Sequence, residues 1–242
     1  MSKYLLGDTN LAAQRLKYLN EVYAESTRDF IFEVVADRPS LLVDLGCGPG
    51  YTTHFLAELT RCDRAVGLDK SENFIALAEQ TGTKRVSFHW HDITSVPFPV
   101  GPGNVLYCRY LLTHLHNPLY VIGEWAPQLQ STGLLLIEEV EWIRTNNTIF
   151  ETYLNIVAAM LADQSTELYV GPMLDSVQET DLLKKSYSQV KHYPVLTHQA
   201  ATMFYMNIQT WKHQSFVRAN YTTEMITELE LELKNLMMTA KN

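Results

Sequence analysis

The stretch LLVDLGCGPGYTT, residues 41–53, constrains the fold of this 242-residue chain more than any other segment. Five residues of strand character run into glycines at 46, 48 and 50, and a helical pattern follows. Glycine accepts left-handed backbone and lets a neighbouring group come close, so three at alternate positions mark a tight strand-to-helix turn. In open α/β sheets ligands bind beyond the carboxyl ends of the strands, where strand order reverses, and that is where such a turn lies.

The rest of the chain supplies the other layers. Leu11, Leu16, Leu19 and Val22, then Phe30, Ile31, Val34 and Val35 after Ser26-Thr27 as a cap, predict two helices within 9–36. Strand patterns stand at 41–45, 65–69, 85–92, 104–108 and 133–142. Helices are expected between them at 52–60, at 71–80 with Ser71 leading in, and at about 119–130, which Gly133 follows. This alternation predicts a parallel sheet with crossover helices.

A helical insertion over about 145–186 interrupts it, with a helix at 147–163, a turn at Gly171-Pro172 and a second helix near 174–185. SQVKHYPVLT (188–197) and AATMFYMNIQ (200–209) read as an antiparallel hairpin at the sheet edge, and 222–239 as an amphipathic helix. The expected fold is one α/β domain over 1–242. It is a doubly wound sheet of seven strands, five parallel and a closing hairpin, with the N-terminal helices and the insertion as a lid.

Charge and composition narrow the function. A net charge of −8 opposes a broad field for nucleic-acid backbones and favours a small-molecule substrate. The start MSKYLLGDTNLAAQRL lacks the apolar core of a signal peptide, and no run reaches the roughly 20 apolar residues of a membrane span. A cytoplasmic protein without membrane contact is expected. Cys47, Cys62 and Cys108 are odd in number and lack zinc or disulfide spacing, so they read as reduced thiols.

The glycine spacing is G-x-G-x-G, whereas a pyrophosphate-binding turn carries G-x-G-x-x-G. Asp44, two residues before the first glycine, would repel a pyrophosphate and suits a cation. Asp69 ends the second strand, where a carboxylate can accept both hydroxyls of a ribose. Asp92 ends the third, where an acceptor can take an adenine amino group, with Ile93 beside the ring. Asp also caps helices and turns, but here acids close three successive strands.

With these residues the chain resembles the class I S-adenosylmethionine-dependent methyltransferases. The resemblance rests on VDLGCGPG, AVGLDKS, HDITSVPF and NVLYCRYLLTHLHNP, and covers about residues 40–140. It implies a Rossmann-like sheet and S-adenosylmethionine as cofactor. It further implies that Asp44 and Gly46, Cys47, Gly48 and Gly50 cradle the methionine part and that Asp69 holds the ribose. Lys70 and Phe74 would lie near the adenosine, Asp92 and Ile93 at the adenine, and Cys108 and Arg109 beside the methionine part.

Methyl transfer is an in-line displacement that depends on positioning, and a base helps only some acceptors. His114 is the expected base by residue type, or else a packed histidine. Arg109 can hold a carboxylate of a ligand or pair with a local acid. Tyr110, Thr113 and Glu139 follow strands toward the site, with Glu139 and Glu141 on one face and Glu138 on the other. Tyr4, Arg15 and Tyr169 are lid candidates. Tyr153 joins Val157 and Met160 in a stripe that reads as core, with substrate contact as the other reading.

His89, His91 and Asp92, and His114 with His116, carry ligand chemistry but suit ordinary hydrogen bonding, so no metal is expected. The function implied is methyl transfer to a small organic molecule. The rivals are a non-catalytic cofactor-binding relative acting as a regulatory or scaffolding subunit, and an NAD-dependent oxidoreductase, opposed by the glycine spacing and Asp44. CRYL stands where an amino-base methyltransferase carries N/D-P-P-Y/F/W.

Overall fold

The computed structural model describes residues 7–238. Two helices, α1 (Asn10–Val22) and α2 (Ala24–Val34), lead into an alternating core. That core runs β1 (Leu41–Leu45), α3 (Tyr51–Thr60), β2 (Arg64–Asp69), α4 (Glu72–Glu79), β3 (Val86–Trp90), β4 (Gly103–Arg109), α5 (Pro118–Trp125) and β5 (Leu129–Glu138). Four helices follow: α6 (Thr148–Asp163), α7 (Thr197–Trp211), α8 (Ser215–Asn220) and α9 (Thr223–Met238).

The five strands form one sheet in the order β3-β2-β1-β4-β5, and every pairing is parallel. Leu45 at the end of β1 pairs with Leu68 on one side and Cys108 on the other. Strand order reverses at β1, so the glycine turn sits at the switch point. Alternation sends Leu42, Ala65, Val105 and Tyr107 to a face covered by α2, α3 and α4. Val43, Val66, Leu106 and Cys108 go to the opposite face, under α5 with Trp125. Strands buried on both faces read as continuous apolar runs, which is why they stand out in the sequence.

The three turn glycines are left-handed, with φ of 71°, 52° and 88° at Gly46, Gly48 and Gly50. A Cβ on Gly50 would lie 2.6 Å from the Phe88 ring, and one on Gly46 2.8 Å from Leu111. Both backbone conformation and packing therefore exclude side chains there.

The C-terminal part departs from the sequence expectation. Residues 197–211 are helical and 177–196 hold no regular element, so the expected hairpin is absent and the sheet has five strands among the described residues. Pro194 lacks an N–H for pairing. The segment instead binds α2 through side chains: Tyr187 and Lys191 donate to Glu33 at 2.8 and 2.6 Å, and Tyr193 to Asp29 at 3.0 Å. AATMFYMNIQ offers a helical stripe as well as an alternating one. Ala201, Ile208 and Trp211 bury against α6 and α9, which decides for the helix.

The expected helix near 174–185 shrinks to a 3-10 turn at Gly171–Ser176. Gly133 lies inside β5, where a Cβ would meet the Gly103 carbonyl at 3.0 Å beside a register shift. Ser26-Thr27 cap no helix; both side chains donate to Glu138. Tyr4 lies outside the described residues. No described helix is long and apolar enough to cross a membrane.

Candidate functional site

The turn after β1 consumes its own amides. Gly46 and Cys47 donate to the Leu68 carbonyl at 2.8 and 3.0 Å, Gly50 donates to Cys47, and Pro49 has no N–H. Gly48 donates to Asp69 Oδ2 at 2.9 Å. A phosphate would find no ladder of donors in this loop, unlike the open turn of a dinucleotide site. Two carboxylates bracket the loop instead.

Asp44 lies beneath it, 2% exposed, and accepts from Thr53 Oγ1 at 2.6 Å. Burial raises its pKa to about 7 against the opposing pull of Thr53 and Arg109, and Asp69 adds to the rise. Asp69 accepts one amide on each oxygen, from Gly48 and from Ser71 at 2.8 Å. Each oxygen retains a lone pair, and burial raises this carboxyl too. Ser71 also caps α4 by accepting from the Phe74 amide, and donates to Asp8.

Helix α1 roofs this end of the sheet. Leu16 packs with Phe74, Ala12 and Ala13, and its Cδ1 stands 3.2 Å from where a Gly48 Cβ would be. Open space of about 350 Å³ lies at the junction of α1 and α4, lined by Asp8, Thr9, Asn10, Asn73, Ala76 and Leu77. The paired acids do not line it.

Beyond β4 the chain turns sharply through Tyr110, at φ 51°. Arg109 donates to Thr27 at 2.8 Å, Asn20 at 2.8 Å and Thr52 at 2.9 Å, all neutral oxygens, so among the described residues no local acid takes its hydrogen bonds. Below it, Glu138 accepts from Ser26, Thr27 and Tyr107, the last at 2.6 Å. This network ties α1 and α2 to the sheet. Sequence reading missed Thr53, Asn20, Thr27, Thr52 and the Tyr107–Glu138 bond; the one available signal was a tyrosine hydroxyl inside a doubly buried strand.

Glu139 lies on the other side of the chain from Glu138, as alternation predicts. Its Oε1 accepts from the amides of Leu111 and Leu112, both at 2.7 Å, and burial raises its pKa to about 7 against those bonds. His114 ends the 3-10 turn that these amides open. Burial, with Arg15 and Lys70 adding to it, brings the imidazole down to about 3, leaving it neutral and a weak base. Arg15 itself is enclosed on α1, 5% exposed.

Asp92 stands past the end of β3, held by the Thr94 amide and hydroxyl at 3.0 and 2.7 Å. Partial burial opposes its ionisation, but Thr94 and Lys70 bring it below the usual range. Ile93 packs in the sheet core while its carbonyl accepts from Trp125 at 2.8 Å. Lys70 is exposed, and its carbonyl accepts from the Trp90 indole.

Tyr153 belongs to the core among α6–α9, stacked on Phe204 at 4.1 Å, with its hydroxyl accepting from Asn207 at 2.7 Å. Tyr169 is half-buried in a segment that reaches back to the strand ends. There the Thr113 hydroxyl donates to the Glu167 carbonyl, and the Gly171 amide to Val140. All three cysteines are free and buried, and burial pushes the Cys47 and Cys108 thiols up. Among the described residues no three His, Cys, Asp or Glu side chains converge as a metal site requires.

Residues 43–137 match the family model described as a methyltransferase domain. The trans-aconitate 2-methyltransferase of Azoarcus sp. (strain BH72) is 29% identical over 125 residues, covering 52% of this chain and 48% of that enzyme. The chain thus spans about half the length of the curated relatives it matches. The YcgJ protein of Bacillus subtilis superposes with a TM-score of 0.52 at 17% identity, over 82% of this chain and 88% of that one. Human N-acetylserotonin methyltransferase, solved in complex with SAM, gives 0.54 at 16% identity, over 69% and 48%. These likenesses establish the fold.

Proposed function

We infer that the chain, whose residues 43–137 match a methyltransferase domain, is a class I S-adenosylmethionine-dependent methyltransferase that transfers a methyl group to a small organic molecule. The observation that carries this is the glycine turn between Asp44 and Asp69, with its own amides already bonded. A site of that kind serves a cationic ammonium and a pair of hydroxyls, and does not serve a pyrophosphate. When bound, S-adenosylmethionine supplies a methyl group on a sulfonium whose sulfur leaves as a neutral thioether.

Asp69 accepts ribose hydroxyls on its remaining lone pairs, while Asp44 supplies negative charge from beneath the turn to the ammonium. Phe74, Ile93, Asp92 and Lys70 surround the adenosine. Cys47, Cys108 and the buried guanidinium of Arg109 border the methionine part, with Arg109 oriented by Asn20, Thr27 and Thr52. Helices α1 and α6–α9 act as the cap of a single domain, and Arg15, Tyr110 and Tyr169 face the acceptor. Excluding water from a cationic centre strengthens the fixed charges around it.

The relatives named for trans-aconitate are consistent with a small-molecule acceptor. Calorimetric titration of the folded chain with S-adenosylhomocysteine, and in parallel with NAD, tests the reading. Saturable binding of the first and none of the second is expected. No heat with S-adenosylhomocysteine at millimolar concentration overturns it.

A further inference from the structure

We propose that Glu139 is the proton acceptor of the transfer, taking a proton from a hydroxyl or amine acceptor onto Oε2; this rests on the methyltransferase reading above. The carboxylate is fixed at one end and open at the other. Oε1 accepts two amides at 2.7 Å, so the group cannot rotate without losing both. Oε2 has no hydrogen-bond partner among the described residues, and Glu139 is half-buried rather than enclosed.

Its place is one residue removed from the first glycine, through Leu111. Leu111, whose amide Glu139 holds, presses its Cδ atoms to within 2.8 Å of where a Gly46 Cβ would stand. Glu139 follows the end of β5, which pairs with β4 through Arg109 and Glu138. The carboxylate therefore sits at the loop that follows β4, across β1 from the ribose acid Asp69. Among the described residues the charged group acting on it is Glu138, and Glu139 in turn strengthens the hold of Cys108 and Tyr110 on their protons. Burial with no cationic partner holds the carboxyl about half ionised at neutral pH, where a general base is most effective.

The step balances. As the acceptor's lone pair bonds to the methyl carbon, the methyl–sulfur pair stays on sulfur. The O–H or N–H pair stays on the acceptor atom, and the proton passes to Oε2. Glu139 becomes a neutral acid and later returns the proton to water. His114, neutral and of low basicity, does not compete for it. A carboxylate acceptor would need no such base, so the proposal commits the site to protic acceptors.

Glu139→Gln keeps a carbonyl oxygen for the two amides and removes the base. The full chain, wild type and variant, is given radiolabelled S-adenosylmethionine with phenols, primary amines and trans-aconitate. Binding of S-adenosylhomocysteine and the carbon-13 titration of labelled glutamate are measured in parallel. The expected result is transfer to a phenol or amine that rises with pH through about 7 in the wild type. It falls about 10²-fold or more in the variant. S-adenosylhomocysteine affinity stays within about twofold, because the backbone anchor remains, and a carboxyl resonance titrating near 7 disappears.

Transfer to trans-aconitate alone, or to nothing in the panel, overturns the proposal. So does a variant with unchanged rate, or one whose rate and S-adenosylhomocysteine binding vanish together, which would make Glu139 a loop anchor only. Failure of the wild type to bind S-adenosylhomocysteine would instead remove the methyltransferase reading itself.

Discussion

The carboxylate of Asp44 is enclosed with one hydroxyl partner, and its titration is the readiest handle on the site. Burial raises its pKa to about 7, so in the free protein the charged form costs stability that grows as pH climbs from the ordinary aspartate range to about 7 and is constant above. A cationic ammonium beside it favours the charged form. Below pH 7 binding must therefore expel a proton, and S-adenosylhomocysteine affinity should rise with pH up to about 7 and then level off. Calorimetry near pH 6 in two buffers of different ionisation enthalpy should register that proton. Asp44→Asn should cut its share of the release and weaken binding about tenfold, roughly 1.4 kcal/mol; unchanged proton release would detach Asp44 from the ligand. Burial raises the Asp69 carboxyl as well, so it acts in the same direction. Both acids were readable in the sequence because each sits at a strand end next to a turn. Their partners were not. Thr53 meets Asp44 from within a helix, and Arg109 reaches Asn20 across 89 positions, so neither pairing leaves a local pattern.

At the level of elements, α7 shows where pattern reading met two answers. AATMFYMNIQ supports both a period of two and a period near 3.6, and the residues that bury, Ala201, Ile208 and Trp211, follow the second. The strands β1, β2 and β4 were unambiguous because both of their faces are covered. Hydrogen exchange should show protection at successive amides across 201–211, as i to i−4 bonding requires. Protection at every second amide would restore an edge strand. Segment 188–196 should exchange quickly, since side chains rather than ladder bonds hold it to α2.

For the whole molecule, the apolar interior is divided. The cluster of α6, α7, α8 and α9 shares no residue with the clusters on the two sheet faces. Helix α1 packs on α7 and is tied to the end of β4 through Asn20 and Arg109, which joins the helical part to the sheet. Trp211 is fully enclosed in the helical cluster. Trp211→Ala should remove about 3–5 kcal/mol of packing, and the helices should lose structure at lower urea than the sheet. Melting followed by far-ultraviolet dichroism and by exchange of β1 and β4 amides checks this; coincident transitions would mean one cooperative unit.

Residue order suffices for the parallel sheet, the glycine turn and the two acids that flank it, because each depends on neighbours within a few residues and on burial of both strand faces. Tertiary structure alone decided that 197–211 is a helix, that Arg109 is held by neutral oxygens, and that Glu139 rather than His114 combines a fixed seat with a pKa near neutrality. Those outcomes depend on which distant surfaces meet and how much water they exclude, and burial of that kind has no signature in residue order.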